Sequence, residues 1–398
     1  MPMIGIREFF EYGIAFLTIF ITVFFLIIFL ENQGRIRHSP KPPRLLPSLT
    51  IIIPAYNEEE TIAGTIESAL NARYAPGSKK VIVVDDGSTD QTLSVARRYA
   101  KKGVLVLHQE NRGKAAALNN ALGKAGTELV ATLDSDSYIE KDALLKMVGF
   151  FSDTDVGAVT SVMKVWKPRT TLEKLQRMEY LLMVFSRRLL SFIDSVNVTP
   201  GPLSIFRKRV FDAIGGYDEG SILEDQEFGM RMQAHNYRIA SSMEAVVYTV
   251  VPKTFGDLIS QRVRWHRGGV RNLLKHHRLI SPRYGDFGTL VMPFAILSIA
   301  VLFILFFLLS LSILNNSFTE LFRGGFDTFY LGLKPIHLIS LIIVLGSIAW
   351  VSIGIRQLEG EPLSPHWLII YLLLYAPLVT LFWLVTAYRE MRGERLGW

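Results

Sequence analysis

An α/β domain built on a buried sheet and carried between membrane-spanning helices is the fold class this sequence predicts, on three observations. Between residues 49 and 133, four short β-branched apolar runs alternate with helical stretches. Uncharged stretches long enough to cross a bilayer lie on both sides of that region. Carboxylate blocks fall at or near the ends of apolar runs, where an open α/β sheet places its ligand-binding groups.

The uncharged stretches are Tyr12–Leu30, Thr289–Leu314, Ile336–Ile355 and Trp367–Tyr388. At 1.5 Å per residue, each crosses roughly 30 Å of hydrocarbon. They explain why hydrophobic residues make up 49% of the chain. The first stretch lacks a small-x-small cleavage site, and basic residues follow it rather than precede it, so it reads as an uncleaved anchor, not a signal peptide. Arg35, Arg37, Lys41 and Arg44 follow this span against Arg7 before it. The positive-inside rule then places the N-terminus outside and the central region in the cytosol. Three later spans would put Arg389, Arg392 and Arg395 outside, against the same rule. Either the tail breaks it or one late segment is re-entrant or interfacial.

The four proline residues of 39–48 mark a stiff linker. After it, Leu49–Ile53, Val81–Val84, Val104–Leu107 and Leu129–Leu133 read as strands buried on both faces. Helical stretches at Glu59–Asn71, Asp90–Lys101 and Lys114–Lys124 separate them, a βαβα rhythm that implies a parallel sheet. In Thr170–Val196, Leu172, Leu175, Met178, Leu182, Phe185, Leu189 and Phe192 recur at helical spacing. That helix either packs on the core or, as the paired Arg187 and Arg188 suggest, lies at the membrane surface. Phe255–His277 is a second, more charged amphipathic candidate.

The formal charge is +7. No RNA- or DNA-binding pattern accompanies it, so the excess is read as juxtamembrane Lys and Arg beside anionic lipid, with no nucleic-acid partner. With no cysteine in the chain, disulfides, thiolate metal sites and cysteine nucleophiles are excluded.

Five blocks carry chemistry. Asp85-Asp86-Gly87 follows the second strand and can accept hydrogen bonds from base and ribose; Thr89 or Asp90 is left to cap the next helix. Asp134-Ser135-Asp136 follows the fourth strand with two hard oxygen donors suited to Mg²⁺ or Mn²⁺ against a diphosphate. Glu224-Asp225 opens a helix, where the pair either complements the helix dipole or supplies a base for an attacking hydroxyl. Asp225 is the candidate base, with Glu224 supporting or ligating. Gln261, Arg264 and Trp265 stand at i, i+3 and i+4, hence on one helix face. They offer a hydrogen bond, a fork for phosphate oxygens and a flat platform for a sugar ring. Pro200-Gly201-Pro202 completes the set. Tyr56, in Pro54–Glu59, can stack on a nucleobase, and Lys114 can touch phosphate or simply open a solvated helix.

In this order, PAYNEE (54–59), DDGSTD (85–90), DSD (134–136), GPLSIFRK (201–208), ED (224–225) and QRVRW (261–265) resemble glycosyltransferase family 2. The resemblance is to its membrane-integrated branch of cellulose, chitin, hyaluronan and poly-N-acetylglucosamine synthases. It implies a GT-A fold with a Rossmann-like mixed sheet, amphipathic interface helices and about four transmembrane helices. By region, 1–48 would be anchor and linker, 49–254 the GT-A domain including a helix at 170–196, 255–285 the tryptophan-motif helix, and 286–398 the membrane region. It further implies a metal-dependent, inverting transfer from a UDP-sugar. Tyr56 and Asp86 would hold the base, Asp136 with Asp134 the Mg²⁺ or Mn²⁺, and Asp225 would be the catalytic base. Arg264 and Trp265 would meet diphosphate and acceptor; Pro54, Glu58, Lys114, Ser135 and Gln261 join the donor site.

Thr199 and Pro200 stand before Gly201 where many synthases carry serine. With about four spans, a continuous channel would need a homo-oligomer. The tryptophan motif also occurs in enzymes that glycosylate a lipid once. The acceptor is therefore a growing polysaccharide, extruded through the cell membrane, or a single membrane lipid. A non-catalytic scaffold would lack a base or metal carboxylate, and this chain lacks neither.

Overall fold

The computed structural model describes residues 6–314, 335–359 and 365–394. Two compact units divide them. One comprises Gly34–Val291 with the chain from Leu381 on, and the other comprises the helices before Gly34 and between Met292 and Thr380.

The first unit is built on one eight-stranded sheet. Helix α1 (Ile6–Asn32) precedes it, and β1 (Leu49–Ala55), α2 (Ile62–Asn71), β2 (Lys79–Asp86), α3 (Thr92–Arg97), β3 (Leu105–Gln109), α4 (Lys114–Leu122) and β4 (Leu129–Thr132) give the expected alternation. Next come β5 (Ser137–Ile139), α5 (Ala143–Val148), β6 (Val156–Val165), α6 (Thr171–Phe192), β7 (Ser204–Arg207) and α7 (Lys208–Ile214). Then α8 (Glu224–Ala234), β8 (Arg238–Thr249) and α9 (Phe255–Lys275) complete the unit's regular framework. Strand order is β3-β2-β1-β4-β7-β6-β8-β5.

The parallel sheet read from the βαβα rhythm holds for β1 to β4. Beyond β4 the sheet is mixed, because β7 runs antiparallel to both β4 and β6. All seven residues of β1 are buried, as a central strand covered on both faces requires. β3 departs from that expectation: it is the sheet edge, and Leu105 is exposed. β1 and β2 also run two residues beyond their expected ends, pairing Ala55 with Asp85, so both aspartates belong to the strand itself. α2 starts at Ile62 rather than Glu59, since Glu58 accepts from the Thr61 hydroxyl and Glu59 from the Gln91 amide in the preceding turn.

On one face, Ile52, Val84, Val130 and Phe206 pack under Leu118, Phe211 and Phe228 of three helices. Phe211 and Phe228 stack with centroids 4.7 Å apart. The run Ala115-Ala116-Ala117 gives α4 a small-residue surface for lying close on the sheet.

α6 begins in a capping box, Thr170 Oγ1 accepting from Glu173 N at 3.2 Å and Glu173 accepting from Thr170 N at 2.8 Å. Of the two readings for this helix, its burial supports packing on the core. Arg187 and Arg188 are only 4% and 5% exposed, so they offer no charged face to lipid. Arg188 donates to the carbonyls of Arg35, Ile36 and Ser241, which ties the segment just before the linker to the sheet. α9 is held to α6 by buried Arg262, whose Nε donates to Glu179 Oε1 at 3.0 Å while Nη2 donates to Oε2.

The second unit contains α1, α10 (Met292–Leu314), α11 (Pro335–Glu359) and most of α12 (Pro365–Met391). Among the described residues, four helices are long and apolar enough to cross a membrane, at Tyr12–Arg35, Phe287–Phe307, Leu338–Glu359 and His366–Met391. Their hydroxyls bond back to the preceding turn, as Thr22 does to Thr18 O at 2.7 Å and Ser352 to Ile348 O at 2.7 Å, satisfying groups that hydrocarbon would leave bare. Phe25 and Trp350 meet at 5.5 Å.

Of the two alternatives for the tail, a breach of the positive-inside rule or a re-entrant or interfacial late segment, the packing favours the second: the tail lies on the sheet domain. Glu390 pairs with Arg271 at 2.9 Å and with buried Arg267, Glu394 O accepts from Arg267, and His266 stacks on Trp383 at 4.2 Å. Arg389 and Arg392 are therefore on the domain's side, and Arg395 lies outside the described residues. An odd number of full crossings after the domain is incompatible with that contact. Because the chain has no cysteine, single replacements Lys102→Cys and Arg392→Cys report it directly. Both are expected to react with an impermeant maleimide from the same side of sealed vesicles; labelling from opposite sides would overturn the packing.

Candidate active site

The loops after β1 and β2 are sewn together before any ligand arrives. Asn57 N donates to Ser88 Oγ at 3.0 Å, Thr89 N to Asn57 Oδ1 at 2.8 Å, and Glu58 N to Thr92 Oγ1 at 2.7 Å. Asp90 accepts from Thr92 N at 2.9 Å, the local bond expected of a residue before a helix. Asp86 is buried and accepts from Gln109 Nε2 at 2.7 Å, Arg112 N at 3.1 Å and Gly113 N at 2.8 Å. Gly113 takes a φ of 93°, and Gly87 one of 76° with Asn111 N so near that a Cβ would sit 2.7 Å from it. The Asp-Asp-Gly block thus buttresses the start of α4 and fixes where Lys114 points.

Lys114 Nζ lies 2.7 Å from Asp134 Oδ1 and 3.0 Å from Glu224 Oε1. One ammonium thereby joins the end of β4 to the start of α8. Gly201 closes over this pair, donating nothing but accepting from Asp134 N at 3.1 Å. A Cβ on Gly201 would lie 2.5 Å from both Asp134 carboxylate oxygens and 2.6 Å from Lys114 Nζ. Thr199 donates through N and Oγ1 to Asp225 O, at 3.2 and 3.0 Å, which locks the same loop to α8.

These groups line one cavity of about 410 Å³. Of the residues singled out from sequence, Pro54, Glu58, Lys114, Asp134, Ser135, Asp136, Glu224, Asp225, Gln261, Arg264 and Trp265 are in its walls. Tyr56 and Asp86 are not among the described lining residues; Asp86 is spent beneath α4. A second cavity, about 360 Å³, shares Lys114, Glu224 and Arg264 and extends past Arg112 and Ser221. The α9 spacing does bring Gln261, Arg264 and Trp265 to one face, and the Arg262 guanidinium, 4.2 Å over the Trp265 ring, braces it from behind. Sequence reading missed Tyr180, Met183 and Arg187, which α6 adds to the wall at i, i+3 and i+7. That phase was the available signal.

A family model described as glycosyl transferase family 2 matches residues 50–215. The poly-beta-1,6-N-acetyl-D-glucosamine synthase of Staphylococcus aureus (strain COL) is 31% identical over 279 residues, covering 67% of each chain. The chain belongs to glycosyl transferase family 2. The enzyme of the same name from Staphylococcus epidermidis is 32% identical over 231 residues, covering 57% of this chain and 56% of that one. Among solved structures, the mannosyltransferase PcManGT from Pyrobaculum calidifontis, in complex with GDP-Man and Mn²⁺, aligns over 96% of this chain and 99% of its own. Its TM-score is 0.59 at 20% identity, which shows the GT-A-like fold.

In this glycosyltransferase two adjacent carboxyls are driven apart. Burial and then the neighbouring Glu224 charge push Asp225 up to about 7, against the pull of Lys114. Burial acts to raise Glu224 too, but Lys114 overcomes it and holds that carboxyl below its ordinary range. Asp136 is likewise pushed up to about 7, by burial and by the charges of Asp134 and Glu58, while Ser137 and Thr249 donate to it at 3.0 and 3.2 Å. Asp136, Asp134 and Glu58 crowd there, and of these Lys114 pairs with Asp134, so a divalent cation fits the donor set and would relieve the repulsion. No three such side chains converge as a ready-made ligand set among the described residues. Mg²⁺ or Mn²⁺ would then draw the rest of its coordination from substrate phosphate, as Mg²⁺ sites commonly do.

Gly201→Ala tests the closure over Lys114. Gly201 has no positive φ among those recorded, so the methyl acts only by displacing Asp134 and Lys114. Transfer is expected to fall about 10²-fold, the cost of roughly 1 Å of misplacement, with circular dichroism unchanged. A rate near that of the parent would mean the contact does not matter.

Proposed function

We propose that this chain is an inverting, metal-dependent glycosyltransferase that uses a UDP-sugar and polymerises a β-linked polysaccharide, moving it across the membrane. One observation carries the reading. A single cavity gathers an acid pair after β4, an adjacent acid pair opening α8, and the Gln-x-x-Arg-Trp face of α9, segments far apart in sequence. That is the inventory a direct displacement at an anomeric carbon needs.

Asp225, poised near neutrality, takes the proton of the acceptor hydroxyl as it attacks. Glu224 stays ionised beside Lys114 and fixes the geometry of α8 against β4. Arg264 donates to the diphosphate, and Trp265 gives the acceptor ring an apolar face. Asp136 and Asp134 would hold Mg²⁺ or Mn²⁺, which supplies neutralisation of the charge on the departing nucleoside diphosphate. A single displacement by the acceptor hydroxyl, activated by one base and passing through no covalent intermediate, inverts the configuration.

The relatives' name makes UDP-N-acetylglucosamine the first donor to test. Four helices of spanning length among the described residues support membrane integration, and the basic residues after the first favour a cytosolic catalytic domain, where nucleotide-sugars are made.

Asp225→Asn is expected to lower transfer by about 10²–10⁴-fold while UDP binding, measured by calorimetry, is kept. In the parent enzyme, kcat/KM should rise with pH through about 7 and level off above, because Asp225 acts only when deprotonated. A flat profile from pH 5 to 9, or an active Asn variant, would remove Asp225 as the base. Purified protein incubated with Mn²⁺ and radiolabelled UDP-sugars should give a long, size-dispersed, water-soluble product. A single small product extracting into organic solvent would establish one-step transfer to a lipid instead.

A further inference from the structure

Arg187 is a buried cation that the mechanism above leaves unused. It sits on α6, seven residues after Tyr180 and four after Met183, and lines the same cavity as Asp225, Val198 and Pro200. It is 4% exposed, yet its Nε and Nη1 atoms have no hydrogen-bond partner. Its neighbour Arg188, equally buried, spends its donors on four backbone carbonyls. The contrast is informative. A buried guanidinium with empty donors costs stability unless something supplies acceptors, and around Arg188 the segment before the linker and β8 supply them. Arg187 and Asp225 line the same volume, and the Asp225 charge acts against the burial that disfavours the guanidinium's charged form. With Arg264 assigned above to the diphosphate and Lys114 held by Asp134 and Glu224, Arg187 is the cation of this cavity left for the acceptor.

Resting on the function proposed above, we infer that Arg187 binds the acceptor sugar. It donates two hydrogen bonds to a pair of neighbouring oxygens on the terminal unit and so orients that unit's reactive hydroxyl toward Asp225. Trp265 and Tyr180, with rings 6.3 Å apart, contact the ring faces and define a plane; Arg187 sets the rotation within that plane. An aromatic platform alone leaves this rotation loose, because stacking on a ring face is tolerant of it, whereas a planar guanidinium fork is directional.

The test uses the full chain in detergent, with UDP-N-acetylglucosamine and a short β-1,6-linked N-acetylglucosamine oligosaccharide as acceptor. Arg187→Met keeps the volume and removes the charge. The acceptor KM is expected to rise about 10²- to 10⁴-fold, the value of two hydrogen bonds to a charged donor. Donor KM and acceptor-independent release of UDP should stay within about twofold. Because an unpartnered buried charge is removed, Tm should hold or rise. Arg187→Lys should recover part of the acceptor affinity, and millimolar guanidinium should rescue Arg187→Ala. An unchanged acceptor KM in Arg187→Met overturns the inference alone. A fall in Tm with parallel loss of donor binding also overturns it, marking a structural role. Absence of turnover in the parent chain with every donor overturns the function reading and this inference with it.

Discussion

Lys114 holds the site together. Its ammonium is shared by Asp134 and Glu224 at hydrogen-bond distance, and nearly every other feature of the cavity answers to that placement. Asp86 is buried to hold the turn that aims it, Gly113 adopts a positive φ to begin its helix, and Gly201 lacks a side chain so that the next loop can close over it. Burying an ammonium is expensive, and the cost is offset only because two carboxylates are within reach. The same charge differentiates the two acids that open α8. Glu224 touches it and stays ionised; Asp225 does not and is pushed toward neutrality by burial and then by the Glu224 charge. Two adjacent residues of like chemistry are thereby prepared for different tasks, a recurrent way of separating acid and base roles.

The sheet's change of direction makes this meeting possible. In the parallel half, β1, β2 and β4 end on one side and present Glu58, Asp86 and Asp134 there. β7, antiparallel between β4 and β6, is preceded by the Pro200–Pro202 loop, which arrives at that same side. α6 and α9 then close the cavity from sequence-distant positions. The buried Arg262–Glu179 pair joins them, and Arg262 also braces Trp265. Such a pair adds less to stability than to geometry, since apolar residues would pack as well but would not fix one relative orientation. That orientation is what a ring-stacking platform requires.

The membrane-spanning character follows from composition, while the position of the tail follows from pairing. Arg267 and Arg271 on α9 meet Glu390, and those bonds place the end of α12 on the domain. Counting apolar stretches and basic residues cannot see such contacts, because it treats each segment as independent of the domain it rejoins.

Much of this protein was legible before any coordinates. The βαβα rhythm gave the parallel half of the sheet, since alternation of buried strands and helices is a local pattern. The ordered blocks at 54–59, 134–136, 224–225 and 261–265 gave most of the residues that line the cavity, because the blocks sit at element ends where a sheet must put them. Tertiary structure decided what depends on direction and burial. It turned Asp86 inward, away from the cavity, and drew Lys114 between two acids. It buried both Arg187 and Arg188 where sequence alone left a membrane face open. In each case the sequence specifies the charge, but a charge's role depends on what lies within about 3 Å of it, and those neighbours come from other strands, helices and loops of the chain. Sequence alone determined which chemistry the chain carries; only the fold decided which groups share a proton, a cation or an empty space.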